Sequence, residues 1–383
     1  MNLQYGDELN VRSAGERDEL ERVINILKSR YPDVIISSNQ AIQHPDYITI
    51  FTASHLKDYV VNAKPDMLHF SSYPYMMQGT GVCAYEGQSP LPFYVNMEVY
   101  RQAGLAGLDG TGKKPIPCGM FVQTFEINNH MPTESEYRLQ IFAGLAFGFK
   151  QFSAFLYIQN VTCVQNNSSE NYVDLFFDYD GIGPWAAPVP KPELYTYAAM
   201  MREAKKLAPT LVRLISTDVR MLMGEHKNAS GLSIPNQIPS DSWTDVSMEP
   251  WNSSVDPYMT DIEVQNTGTK NEGLAGDIIV GYFKPLDDSL AEPGYENDIY
   301  FMIVNGLIDE TGDADDCKQQ ITLKFDFGSS GISNLKYVDA NGAVSDFTPQ
   351  PDRLGKDEIT FELKGGTGML FKYDTGGKFI GLE

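Results

Sequence analysis

The amino-acid sequence predicts an α/β unit built on parallel strands, followed by an all-β antiparallel sandwich. Three observations carry this. Short apolar runs alternate with amphipathic helical stretches through the first half, in the order β-α-β-α-β-α-β-α-β-α. Alternation of this kind implies parallel strands joined by crossover helices, in either a doubly wound sheet or a barrel. After about residue 216 helical periodicity disappears, and β-rich runs separated by Asn305-Gly306, Asn341-Gly342 and Gly365-Gly366 take over, as in antiparallel sheets. At 383 residues the chain is too long for one ordinary core. The expected units are 1–216 and 217–383.

The elements follow in order. Leu3 to Tyr5 reads as a short strand ending at Gly6-Asp7-Glu8. Arg17 to Arg30 carries Leu20, Val23, Ile24 and Leu27 at helical spacing and stops at Pro32. Strands are expected at 34–38, 67–71, 116–125 and 152–157, with helices at 55–63, 94–106, 134–147 and 193–207. Thr133, with Glu136 three residues later, has the capping-box pattern at the start of one helix. No GxGxxG follows a strand and no phosphate-binding loop appears, so the Rossmann alternative lacks its fingerprint. In the second half, strands are expected at 219–223, 278–283, 299–304, 321–325, 335–338, 359–363 and 369–372. Residues 227–275, rich in Asn, Ser, Thr and Pro, read as a long loop.

A formal net charge of −22 disfavours nucleic acid and anionic membrane as partners, because both need a basic face. Neutral sugars carry no such penalty, and 21 Tyr, 20 Phe and 3 Trp supply rings on which they stack. No stretch is apolar enough to span a bilayer, and the N-terminus is no signal peptide. Cys83, Cys118, Cys163 and Cys317 show no CxxC pair, so free thiols are expected and no metal site. The acids from Asp309 to Asp316 do not match a calcium loop and read as a solvated turn. No cofactor is implied.

Several segments together resemble clan-A-type glycoside hydrolases, loosely those around the family 42 β-galactosidases. They are Tyr5-Gly6-Asp7-Glu8, Lys64-Pro65-Asp66 through Ser72-Tyr73-Pro74-Tyr75, and Met120 through Phe125. Pro132-Thr133-Glu134 with Tyr137 to Gln140, Leu145 to Gly148, and the run Leu194 to Leu214 complete the set. The resemblance covers roughly residues 1–220. It implies a partial (β/α)8 barrel that starts at strand four, with the sandwich as an appended domain. Five strands would leave an open interior. A segment preceding residue 1, an oligomeric partner or a loop is expected to cover it.

The resemblance also implies roles. Glu8 is similar in position to the general acid/base, which needs a protonated carboxyl beside the glycosidic oxygen. Without the resemblance, Asp7 and Glu8 read as a solvated pair capping a helix. The family's nucleophile position is matched by Gln123, and an amide cannot serve there. Glu126 is the next carboxylate, as a second catalytic group or as a rim acid; Asp178 and Asp180 lie further on. By strand alternation His69, Ser71 and Tyr73 share a face, as do Ser37 with Asn39, and Ser153, Phe155 and Tyr157. Asn39, His69, Tyr73, Gln123, Tyr157 and Trp185 are the expected substrate contacts. His69 alone reads equally as a hydrogen-bonded core histidine, and Trp185 as a loop anchor. Trp243 and Trp251 either fold over a ligand or pin their loop. Two functions are in play: hydrolysis of a neutral carbohydrate, or a catalytically silent barrel that binds carbohydrate or mediates assembly.

Overall fold

A computed structural model of the chain describes residues 2–7, 13–40, 53–75, 91–126, 130–155, 173–174, 176–180, 187–241, 246–286, 298–351, 353 and 356–382. Its first half is a five-stranded parallel sheet of β1 (Asn2–Asp7), β2 (Ile35–Gln40), β3 (Met67–Ser71), β4 (Cys118–Gln123) and β6 (Gln151–Phe155). Between β4 and β6 lies the two-residue strand β5 (Phe125–Glu126), which pairs with Val173–Asp174 outside that sheet. The helices are α1 (Ala14–Arg30), α2 (Ala53–Ala63), α3 (Leu91–Ala106) and α4 (Glu134–Ala146), followed later by Pro192–Lys205. Each expected element of this half is present, with ends moved by a few residues. Ser13 caps α1 by accepting from the Glu16 N–H. Thr133 and Glu136 close the capping box of α4.

The strands lie in sequence order, β1-β2-β3-β4-β6. A doubly wound sheet reverses its order at a switch point; this one does not. Right-handed crossovers in a sequential parallel sheet leave all the helices on one side. The core composition agrees. Ile36, Leu68, Phe70, Met120 and Val122 join one cluster with Leu20 and Ile24 of α1, Leu56 and Val60 of α2, and Leu139 and Phe142 of α4. The alternate residues belong to the opposite face: Ser37 and Asn39, His69 and Ser71, Phe121 and Gln123, Ser153 and Phe155. The β6 strand is half-exposed along its whole length, whereas β3 is buried throughout.

The second half forms two principal sheets. The seven-stranded one has the order Glu249–Pro250, Leu214–Leu222, Ile278–Pro285, Tyr300–Asn305, Gly368–Tyr373, Leu335–Val338, Val344–Phe347. Its central runs, IIVGYF and YFMIVN, are buried at every position. The reason is that both faces are covered. Ile279, Phe283, Tyr300 and Met302 pack into the core that contains α4 and the parallel sheet. Ile278, Val280, Tyr282, Phe301 and Ile303 face the four-stranded sheet of Met259–Asn266, Gln319–Phe325, Asp357–Leu363 and Gln350–Pro351. Buried on two sides, such strands read as continuous apolar runs.

Helix α4 is buried from Ser135 onward and lies against this seven-stranded sheet. Gly281 makes the approach possible, because a Cβ there would lie 2.2 Å from the Ala146 carbonyl oxygen. The C-terminal segment locks onto the seam. Thr210 donates to the Ile380 carbonyl at 2.6 Å, and the buried Lys372 ammonium meets Asp298 at 2.8 Å.

One reading needs correction. Residues 227–275 are not one loop: Met259–Asn266 pairs along Gln319–Phe325, and short ladders join 225–227 to 233–235 and 240–241 to 246–247. In the turn 309–316, Glu310, Asp313 and Asp315 are exposed, and Asp309 and Asp315 pair with Lys270 and Lys364 at 3.0 and 2.7 Å. Cys118 and Cys317 are free and buried. Among the described residues, no group of three His, Cys, Asp or Glu could hold a metal ion, and no helix is long and apolar enough to cross a membrane.

Candidate functional site at the strand ends

The carboxyl-terminal tips of β1, β2 and β3 bring Asp7, Asn39, His69 and Ser71 into one hydrogen-bonded cluster. Parallel pairing sets this up, with Asp7 opposite Asn39 beyond a register shift in β1, and Asn39 opposite His69. The Asn39 amide nitrogen donates to the Asp7 carboxylate at 2.7 Å and to the Ser71 hydroxyl at 2.6 Å. A carboxylate only accepts, so the nitrogen must face Asp7 and the amide oxygen must face the other way. That oxygen lies 3.0 Å from His69 Nδ1. His69 therefore carries its proton on Nδ1 and its lone pair on Nε2. Burial lowers the His69 pKa to about 4, so the ring is neutral at ordinary pH. The cluster holds a neutral imidazole and a hydroxyl in fixed orientation just beneath the surface, with the exposed Asp7 carboxylate at its rim.

An aromatic group continues this face. Tyr73 stacks on Phe155 at 5.3 Å between centroids and meets Phe125 edge-on at 5.1 Å. Phe121 bridges to the polar cluster, 5.6 Å from Phe155 and 4.6 Å from His69. Tyr73, Phe121 and Phe155 are all half-exposed. Half-covered rings beside buried, oriented polar groups are the composition of a site for a polar ligand with apolar faces.

Gln123 belongs to the framework beneath. It is fully buried; its amide oxygen accepts the Tyr75 N–H at 3.0 Å, and its nitrogen faces the Phe125 carbonyl at 3.4 Å. Gln140 of α4 accepts the Gln123 backbone N–H at 2.8 Å. Tyr75 donates its hydroxyl to the Glu136 carbonyl, and its ring meets His130 at 6.1 Å. His130 Nε2 lies 3.0 and 3.1 Å from the two Glu136 oxygens. Burial opposes a charge on His130, but the bond to Glu136 and the charges of Glu136, Glu310 and Glu126 outweigh it, so its pKa is raised.

Of the expected site residues, Asn39 and His69 come together, Tyr73 lies in the adjoining aromatic group, and Gln123 sits below it. Glu126 is half-exposed in β5, beside Phe125. Glu8, Tyr157 and Trp185 lie outside the described residues, as does Trp243. Trp251 is half-buried against the second core and donates to the Tyr282 hydroxyl at 2.9 Å, which makes it an anchor. Asp7, His130 and Glu136 went unnoticed as partners. Asp7 had a signal, its place beside Glu8; His130 had none.

No family model matches the chain, and no curated protein matches it. Among solved structures it is similar to the endo-β-1,4-mannanase from Thermotoga petrophila, at 11% identity and a TM-score of 0.32. That match covers 95% of this chain and 64% of the mannanase, so the chain spans less than two thirds of that protein's length. It is also similar to chitinase ChiA74 from Bacillus thuringiensis, at 9% identity and a TM-score of 0.25, over 94% of this chain and 80% of the chitinase. Likenesses of this size carry no argument about function, which rests on the site's own chemistry.

Proposed function

We propose that the chain is the sugar-handling part of a glycoside-hydrolase-type protein: a partial (β/α)8 barrel over about 1–216, with an antiparallel sandwich over about 217–383. Its substrate is a neutral carbohydrate. Glu8 serves as general acid/base, and Glu126 is the second carboxylate. Asn39, His69, Tyr73, Tyr157 and Trp185 contact the sugar, with Gln123 behind them. The observation that supports this is the face opposite the helices. A packed barrel interior prefers Val, Ile and Leu, yet here that face carries Asn39, His69, Ser71, Tyr73, Phe121 and Phe155 at and near the strand tips. Oriented hydroxyl, amide and imidazole groups beside half-exposed rings match a sugar's hydroxyls and its apolar ring faces.

The test has two arms on the full chain. Hydrolysis of aryl glycosides is compared between the chain and Glu8→Gln, with a loss of at least about a hundredfold expected for a general acid; equal rates remove Glu8 from the mechanism. Calorimetric binding of neutral oligosaccharides is compared with Tyr73→Ala, with a loss of about tenfold expected. Unchanged binding removes the aromatic platform.

A second reading, a silent carbohydrate-binding barrel, is favoured by one observation. Gln123 takes the place where the resembled family has its nucleophile, and its amide both accepts from Tyr75 and faces the Phe125 carbonyl. Oligosaccharide binding without any hydrolysis is the outcome this reading expects.

A further inference from the structure

At the opposite end of the parallel sheet, where β4 and β6 begin, lies a cavity of about 910 Å³. It is walled by the end of α3, the segment before β4, the turn 147–150, and the strands Leu214–Leu222 and Ile278–Pro285. Four cationic side chains line it, each from a different piece of chain: Arg101, Lys113, Lys150 and Lys284. Among the described lining residues there is no Asp or Glu. In a chain of net charge −22, with 51 acids against 29 bases, such a wall is far from the average surface.

Lys150 is the centre of the arrangement. Its ammonium donates to the Leu211 carbonyl at 2.5 Å and to the Leu214 carbonyl at 3.0 Å. Carbonyl dipoles solvate a buried cation only in part, and burial draws the Lys150 pKa down to about 8. An ammonium has three hydrogens, and two are spent on these carbonyls. Arg101 is neutralised differently: it grips Glu98 in a bidentate pair and touches the Ser216 hydroxyl at 3.3 Å. Lys113 and Lys284 are exposed at the mouth. The rest of the wall is apolar, with Leu105, Ile116, Phe149 and Ile215 among its members.

We propose that this cavity binds an organic anion with an apolar body and one carboxylate, phosphate or sulfonate head. The head sits at Lys150, the exposed Lys113 at the mouth attracts it, and the apolar body lies against the wall. Its position, at the far end of the strands from the candidate sugar site, makes it a separate site, and it stands whether or not the sugar reading does.

The probe is 8-anilinonaphthalene-1-sulfonate, followed by calorimetry on the full chain. N-phenyl-1-naphthylamine, the same body without the sulfonate, serves as the uncharged control. One saturable site per chain is expected, with binding at least about tenfold weaker for the uncharged control. Lys150→Met should weaken the sulfonate about tenfold, and the surface variant Lys113→Glu should weaken it severalfold. If Lys150→Met does not fold, Lys113→Glu decides alone, since its position is exposed. No saturable site, equal binding of the uncharged control, or unchanged affinity in Lys113→Glu overturns the proposal.

Discussion

His69 offers a sharp test of the polar cluster. An ordinary imidazole titrates near 6.5, and burial holds this one at about 4. Only 1% of its surface is exposed, so solvent does little to screen the effect. The native state resists protonation while the unfolded chain accepts it freely below pH 6.5. Stability therefore falls as pH drops from about 6.5, and the penalty is complete below about 4. The difference between the two values corresponds to about 3 kcal/mol. The assay is denaturant unfolding between pH 7.5 and 4, comparing the chain with His69→Gln. Glutamine still donates to the Asn39 amide oxygen but does not titrate. The curves should diverge by about 3 kcal/mol across this window. Parallel curves, or an imidazole resonance assigned to His69 that titrates near 6.5, would refute the reasoning and with it the assigned tautomer.

Two further substitutions test the frame. Asp298→Ala strands the Lys372 ammonium, which is fully buried, and should cost about 3–5 kcal/mol in urea unfolding. The double variant Asp298→Leu/Lys372→Met should recover much of the loss, because it removes both charges. Gly281→Ala places a methyl 2.2 Å from the Ala146 carbonyl and should cost about 1–3 kcal/mol by pushing α4 off the sheet. A neutral effect there would mean that α4 is not seated so closely.

Much of the frame was legible because it is written in local patterns. The strand at Met67–Ser71 and the start of α4 at Glu134 fall where apolar spacing and the capping box put them. Met259–Asn266 reads as loop because only Ile262 and Val264 are apolar between the polar Asp261, Glu263 and Gln265, and its pairing slips between Met259 and Asp261. The same physics blurred the first strand tip. Gly6 has φ of +75°, and the β1–β2 register shifts between Gln4 and Asp7, so counting alternate residues could not say where Asp7 points. Long-range partners were beyond reach altogether. Asn39 meets Asp7 across 32 residues, and Gln123 meets Tyr75 across 48. Nothing local selects either pair; the parallel register and the bend after β3 do.

The hydrogen-bond accounting narrows the choice between hydrolase and silent binder. A buried polar group is costly unless each donor and acceptor finds a partner. The Asn39 amide meets this by spending both hydrogens and its oxygen within the cluster. The Asp7 carboxylate, exposed at the rim, accepts from Asn39 at 2.7 Å. Glu136 is likewise committed, holding the Thr133 N–H at 2.7 Å and His130 at 3.0 Å. Gln123 is an amide. Of the two carboxylates proposed for hydrolysis, Glu126 lies among the described residues, half-exposed in β5. A spacing of roughly 6.5–9.5 Å suits an inverting pair, which admits a water, whereas a retaining pair needs roughly 5–5.5 Å. The anomeric configuration of any hydrolysis product, read by proton NMR immediately after cleavage, therefore reports which spacing the pair has.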